Sequence, residues 1–526
     1  VFTERRLEEA LARMRERQGV GVDAWQGWLL RHASRAVKLM YLEACAEVAT
    51  DLWRAEQLET DEERVAAARR AAPAAWTQWV GVLLEKPGED AALFHRKRDV
   101  WLQPHGLKIF MLLLRPSYDE AAQAHVPLCA SGFLAGRGPP EATLTLVLQR
   151  EQAHVMRRSH YRLYVDFAGF FESICRDVQR EAERQSEVPI AMTDVVLALQ
   201  NASVKRVDTG AGLTPGTRSL GGVVQGDSDG PTRSLLVLAY MQRAVKALVK
   251  GARMRGPGAA REAGQVWFAD DGALCCDEFR MLQLAADVAA VMARVLGLTI
   301  GVHASGKKTA WSGLEWRGGE WVGCSDGRRL RLADGREVPY VECYKHLGVE
   351  VEAALSFSKV RRRVVTRCKG LLAALGRIGM LTAEQYGKAA DAGIVSTLGY
   401  YGRSVPIGRE ACDEIEGARR MALAALGHRP RRGATAQVYL PVGEGGMGAR
   451  HAYEAAAAAL VDQVDRALCA PAWRPDRVAV EALIAQTAVR LAWRPSAAAP
   501  TPLEWWPTHL LHELTEESAG EAWYLY

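Results

Sequence analysis

The chain has 526 residues, of which 49% are apolar and 25% charged, the balance of a folded globular protein and not of a disordered one. At roughly 150 residues per domain this is material for about three or four modules. Lys plus Arg number 67 against 62 Asp plus Glu, a net charge of +5, too mild by itself to point to nucleic acid.

The opening residues, VFTERRLEEALARMRERQ, lack the apolar stretch and cleavage site of a signal peptide. They do not begin with Met, which fits a fragment. Residues 3–85 read as helix, with Leu7, Leu11 and Met14, then Leu39, Leu42, Ala46 and Ala49, recurring at helical spacing. Lys86-Pro87-Gly88 breaks the pattern. We therefore expect a helical extension over residues 1–92. From residue 93 to about 350 short apolar runs alternate with helical stretches and Gly-rich turns. The apolar run Ile109–Leu114 is closed at once by Arg115. No stretch approaches the ~20 apolar residues of a membrane helix, so no membrane association is expected. Leu163–Phe167 and Val266–Ala269 read as strands, and Ala273–Cys276 follows closely enough to suggest a hairpin. Gly251–Gly264 reads as an exposed loop, and Met281–Leu296 as an amphipathic helix. Strands interleaved with helices on one sheet make the fold class α+β or α/β.

Residues 359–432 differ in charge. They hold 15 Lys and Arg against 6 Asp and Glu, including Arg361-Arg362-Arg363 and Arg431-Arg432. Such a basic helical stripe suits a phosphate backbone, and a solvated helix face is the plain alternative. The Ala run 455–459 reads as helix. The ten cysteines form no CxxC pair, which fits a reducing compartment. Cys324, Cys343 and His346 lack the paired spacing of a zinc site.

Two acidic features carry the chemistry. In Phe268-Ala269-Asp270-Asp271 an apolar strand runs into adjacent carboxylates that repel one another. A hard cation such as Mg²⁺ would relieve them; read alone, a solvated Asp-Asp-Gly turn also accounts for them. Asp166 ends the apolar LYVDF run and alone reads as a cap or strand-end acid. Together, one acid on one strand and two on a neighbouring hairpin suit two metals about 3.5–4 Å apart.

The order of motifs resembles the reverse transcriptase family, most closely the type found in non-LTR retrotransposons. The likeness spans about residues 93–450. Arg98-Asp99-Val100 resembles the family's Arg-Pro-Ile, and HGLKIFMLLLR from His105 its Tyr-Lys-Ile stretch. SGFLAGRGPPEAT from Ser131 is similar to Gln-x-Gly-Phe-x-x-Gly-Arg-Ser. DFAGFFESI from Asp166 looks like the first catalytic motif, GGVVQGDSDGPTRSLL from Gly221 the Gly-x-x-Gln-Gly motif, and FADD the Tyr/Phe-Ala-Asp-Asp motif. GLTIGVHASGKKTAW from Gly297 resembles the motif with a Lys-Thr pair, YKHLGV from Tyr344 the primer grip, and LPVGEGGMGAR from Leu440 the Leu-Pro…Gly-Gly-Leu-Gly signature.

The resemblance implies a right-hand polymerase. Fingers would cover 93–162, a palm 163–350, a basic helical thumb 351–440 and a helical tail 441–526. It implies an RNA template, a DNA primer, an RNA–DNA duplex and dNTPs as partners. It implies two Mg²⁺ ions, with Mn²⁺ as a substitute, held by Asp166, Asp270, Asp271 and the carbonyl of Phe167. Arg98 and Lys108 would grip the triphosphate. Gln225 and Gly226 would lie along the template–nucleotide pair, and Phe171 would stand as a steric gate against the 2′-hydroxyl. Lys308, with Lys307 as its rival, would protonate the leaving pyrophosphate. An intracellular, nuclear setting follows from the resemblance alone, and oligomeric state is left open.

The chain also departs from the pattern. Glu172 stands where the family has Asp, Asp99 follows Arg98, and Asp227-Ser228-Asp229-Gly230 adds two acids near the expected triphosphate. Residues 1–92 carry no endonuclease signature. Two further readings stay open: a decayed or domesticated relative that binds RNA without chemistry, and an RNA-dependent RNA polymerase, which usually carries a polar residue in place of Phe171.

Overall fold

The computed structural model describes residues 1–15, 25–85, 97–219, 221–223, 226–254, 261–324, 327–354, 356–378, 381–427, 435–472 and 474–490. The fold is mixed α+β. It is organised around the strand His160–Val165, whose six residues are all buried. A strand covered on both faces needs apolar material on both. Tyr161, Leu163 and Val165 face the largest core, while Tyr164 packs with Ala142, Leu146, Ala273 and Ala310 on the other face. The strand ends at Val165, one residue short of Asp166.

This strand sits inside a six-stranded sheet. On one side lie Ala310–Arg317 and then Glu320–Gly323; on the other lie Asp271–Cys276, Gln265–Phe268 and the two-residue strand Ala130–Ser131. All neighbours are antiparallel except Ala130–Ser131, which runs parallel to Gln265–Phe268. The expected hairpin is present but tighter than the sequence suggests: Phe268 pairs with Asp271, leaving a two-residue turn at Ala269-Asp270. Gly272 is required by packing, because an added Cβ would lie 2.4 Å from the Trp267 ring. The expected amphipathic helix is present over Phe279–Val295 and covers the main-core face.

The N-terminal reading needs one correction. Helices Glu4–Ala12, Arg35–Glu56 and Asp61–Ala71 are present, but Gln78–Leu84 is a strand. Trp79, Val80 and Val82 favour extended backbone, and both edges find partners. Arg98–Leu102 pairs antiparallel on one side and Val204–Asp208 parallel on the other. This pairing joins residues on either side of the boundary expected near residue 92. The Lys-Pro-Gly break itself lies outside the described residues. Within the expected loop Gly251–Gly264, Arg253–Met254 pairs antiparallel with Arg261–Glu262, and residues 255–260 lie outside the described residues.

The basic segment is helical, as expected: Ser358–Gly376, Ala383–Gly402 and Arg409–Ala425. Their core, with Val360, Val364, Ile394 and Ile415, is continuous with the later helices Ala452–Leu468 and Pro475–Arg490 and with Leu144, Val147 and Leu148 of the helix Pro139–Val155. All ten cysteines are free. Among the described residues no helix is long and apolar enough to cross a membrane.

Gly272→Ala should destabilise the chain by about 1–3 kcal/mol, the range for overpacking a filled core. Urea denaturation checks this, and an unchanged midpoint would contradict the packing described.

Candidate active site

Strand register brings the first and last expected carboxylates together. Val165 pairs with Gly272, so Asp166 falls opposite Asp271, on the same face. Asp270 occupies the adjoining turn, where Ala269 adopts φ +52°, a conformation that strains a residue with a Cβ. Burial, then the charges of Asp270 and Asp166, push the Asp271 carboxyl up to about 7, against the pull of Lys308.

The Lys308-Thr309 pair is anchored to Asp166. The Lys308 ammonium donates to both carboxylate oxygens of Asp166 at 3.0 Å. Thr309 Oγ1 accepts from the Asp166 amide at 3.0 Å and donates to its carbonyl at 3.2 Å. The Gly301 amide donates to the Asp166 carbonyl at 2.8 Å, and the Ala168 amide to the Thr299 carbonyl at 2.9 Å. The intervening Phe167–Ile300 pair therefore leaves the Phe167 carbonyl turned away from that segment. Lys307, the rival lysine, is exposed.

Sequence reasoning gave Thr309 and Tyr164 no role at this site. Tyr164 lies two residues before Asp166 on the same face, and its ring stacks on Tyr344 at 4.0 Å and 7°. Tyr344 belongs to the hairpin Cys343–His346 with Val349–Glu352. Burial, then the charges of Asp271 and Asp166, raise its phenol. The period-2 spacing of Tyr164 and Asp166 carries that signal in the sequence.

Opposed carboxylates under mutual repulsion, with an ammonium already drawn to one of them, suit a hard divalent cation bound through oxygen. Asp166, Asp271 and the Phe167 carbonyl are the residues that fit. Asp270 bears on Asp271 through its charge. Among the described residues no three or more His, Cys, Asp or Glu side chains are gathered as a metal cage, so the expected trio meets as a facing pair with a third acid on the turn.

The other expected residues divide. Phe171 is half-buried on the single turn Phe170–Ser173, its ring edge-on to Phe170 at 5.1 Å. Its carbonyl accepts from the Val223 amide at 2.6 Å, which docks the Gly221 motif on that turn. Gly226 has φ +110°, and an added Cβ would lie 2.7 Å from the Trp101 carbonyl. That contact sets the motif against the strand that begins at Arg98. Gln225 and the side chain of Arg98 lie outside the described residues. Lys108 is half-buried at the start of the helix His105–His125; burial lowers its ammonium and the nearby Asp227 charge opposes that.

The two extra acids face inward. Asp227 is 5% exposed and Asp229 0%. They lie beside Arg233, which donates to Glu183 at 2.7 Å with both side chains fully buried. Burial, then the charge of Asp227, raises the Asp229 carboxyl well above its usual range; burial raises Asp227 too. The acids therefore do not add their charge to an open site, which answers the concern their sequence position raises.

A groove of about 640 Å³ runs between the basic helices, lined by Ser358, Arg361, Arg362, Thr366, Lys369 and Arg409 among others. Lys369 is paired with Glu414. The glycine-rich Leu440–Arg450 segment packs back on the last of these helices, where Glu416 accepts from the Tyr439 hydroxyl at 2.6 Å and the Ala452 amide at 2.7 Å.

No protein-family model matches the sequence, and no curated protein matches it.

The folded chain holds the Asp229 carboxyl well above its usual range, while the unfolded chain ionises it from about pH 4. It therefore subtracts stability as pH rises from there. Asp229→Asn should raise the Tm at about pH 7.5 and leave it nearly unchanged near pH 4, by about 1.4 kcal/mol for each unit of pKa relieved. Scanning calorimetry at both pH values checks this, and an equal fall at both contradicts it.

Proposed function

We propose that the chain is an RNA-directed DNA polymerase of right-hand architecture, with the six-stranded sheet as palm and the basic helices as thumb. The observation that carries this reading is the strand register that sets Asp166 opposite Asp271, with Lys308 on Asp166. The order of motifs in the sequence, from Arg98 to Arg450, supports it. Asp166, Asp271, the carbonyl of Phe167 and the adjoining Asp270 would hold Mg²⁺, or Mn²⁺ in its place. When bound, the metal acidifies a primer 3′-hydroxyl and screens a leaving pyrophosphate.

The protein's own groups account for the rest. Asp166 and Asp271 fix the point at which primer and nucleotide meet. Lys308 holds a proton within reach of that point and can give it to pyrophosphate. Phe171, at the edge of the Gly221 motif, would close the space a 2′-hydroxyl needs, so dNTPs are the substrates. Lys108 would meet the triphosphate. The helices from Ser358 to Ala425 would follow an RNA–DNA duplex through its phosphates, without reading sequence. Binding should then weaken steeply with salt.

A second reading is motivated by the departures in the sequence, above all the acids Asp227 and Asp229 in the Gly221 motif. On that reading the chain binds RNA and does no chemistry. An RNA-dependent RNA polymerase is disfavoured by the aromatic ring of Phe171.

Primer extension on an RNA template with Mg²⁺ and dNTPs separates these readings. Wild type should extend the primer, and Asp271→Asn should slow extension by at least about a hundredfold while RNA binding persists. Equal extension by both proteins removes the role of Asp271, and RNA binding without extension favours the second reading. Phe171→Ala should admit rNTPs, narrowing sugar discrimination by about tenfold or more. Unchanged discrimination removes the gate.

A further inference from the structure

The segment after residue 440 shows no chemistry in the sequence, yet one of its arginines reaches the support of the Ala269-Asp270 turn. Arg474 is 7% exposed. Its guanidinium grips Asp476 through two bonds of 2.7 Å, Nε to Oδ1 and Nη2 to Oδ2. Such a bidentate pair fixes the plane of the guanidinium, so its remaining donor is aimed. That donor, Nη1, reaches the carbonyl of Gly136 at 2.8 Å.

Gly136 lies in the loop between the Ala130–Ser131 strand and the helix Pro139–Val155. The loop closes on itself. The Gly132 amide donates to the Arg137 carbonyl at 3.4 Å, and the Arg137 guanidinium reaches the carbonyls of Pro127 at 3.2 Å and Ala130 at 3.3 Å. A second tie comes from the same C-terminal region. Gln463 donates to Glu141 Oε1 at 3.2 Å, and Glu141 Oε2 accepts from the Gly138 amide at 2.8 Å.

From this loop the bonding passes to the hairpin. The Trp267 amide donates to the Cys129 carbonyl at 2.9 Å, and the Ala269 amide to the Ser131 carbonyl at 3.0 Å. Ala269 is the residue held at φ +52°, and strain of that kind persists only where surrounding contacts impose it. The strand that imposes it, Ala130–Ser131, has two residues, too few to hold a position unaided.

We propose that Arg474 is a positioning residue: it fixes the loop 131–138 against the hairpin and so holds the turn that carries Asp270 and leads into Asp271. Its effect on rate rests on the polymerase reading; the mechanical coupling does not.

Hydrogen exchange on the full chain tests the coupling, with Arg474→Ala, Arg474→Lys and the packing control Val480→Ala, a fully buried residue of the helix Pro475–Arg490 that follows Arg474. In Arg474→Ala, peptides covering 128–138 and 265–272 should exchange about tenfold faster or more. Arg474→Lys should restore little of the protection, because one ammonium cannot both fork Asp476 and reach the Gly136 carbonyl. Val480→Ala should lower the Tm and leave both peptides protected. Faster exchange confined to residues 474–490, or equal acceleration in Val480→Ala, overturns the proposal. In primer extension Arg474→Ala should lower kcat about tenfold, raise the Mg²⁺ concentration needed for half-maximal rate, and change KM for dNTP less than about twofold. Normal kcat alongside accelerated exchange overturns the positioning role. A wild type that extends no primer removes the polymerase reading and leaves the exchange result to decide the coupling.

Discussion

Two carboxylates at the ends of neighbouring strands of a buried sheet are set to face each other, and like charges so placed raise the carboxyl pKa or draw in a positive charge. The register of His160–Val165 against Asp271–Cys276 creates this situation. Much of the surrounding structure responds to it. Lys308 donates to Asp166, Thr309 clips the Asp166 backbone, and the Tyr164–Tyr344 stack closes the same face of the sheet. The positive φ at Ala269 is the local consequence of closing the hairpin with only two residues.

The core of this arrangement is legible in the sequence because it rests on short-range patterns. An apolar run that ends in Asp, and a second that ends in two, announce strand ends; the packing of Gly272 against Trp267 shows only in the structure. The helical character of the basic segment is legible for the same reason, since its periodicity is local. What the sequence hides is direction and distance. The helical pattern before residue 50 carries the eye past Gln78–Leu84, whose partners lie up to about 130 residues away. The sequence places Asp227 and Asp229 near the expected triphosphate and leaves their direction open, because a turn-like string gives no sign of which way a side chain points. Arg474 could not be placed at all, because its target is a backbone carbonyl 338 residues earlier in the chain.

The layers of the fold explain how a small site stays in place. One core holds the N-terminal helices and the main-core face of the sheet, and another joins the basic helices to the helix Pro139–Val155. The carboxylates sit on the opposite face of the sheet from the first core. The loop 131–138 precedes that helix and flanks the hairpin. Groups that would contact a long polymer and groups that would do chemistry are therefore tied through one short segment of backbone, and the C-terminal helices close the circuit. Burial of Asp227 and Asp229 belongs to the same logic: acids that would repel a phosphate are turned into the interior, beside Arg233.

The central claim is that Asp166 and Asp271 form a seat for divalent metal at the end of the sheet. Anomalous scattering from crystals soaked in Mn²⁺ tests it most directly. The account predicts Mn²⁺ density between these two side chains, as a pair of peaks about 4 Å apart when primer and nucleotide are bound, and its loss in Asp166→Asn. Strong Mn²⁺ peaks elsewhere on the molecule, with none between Asp166 and Asp271, would contradict it.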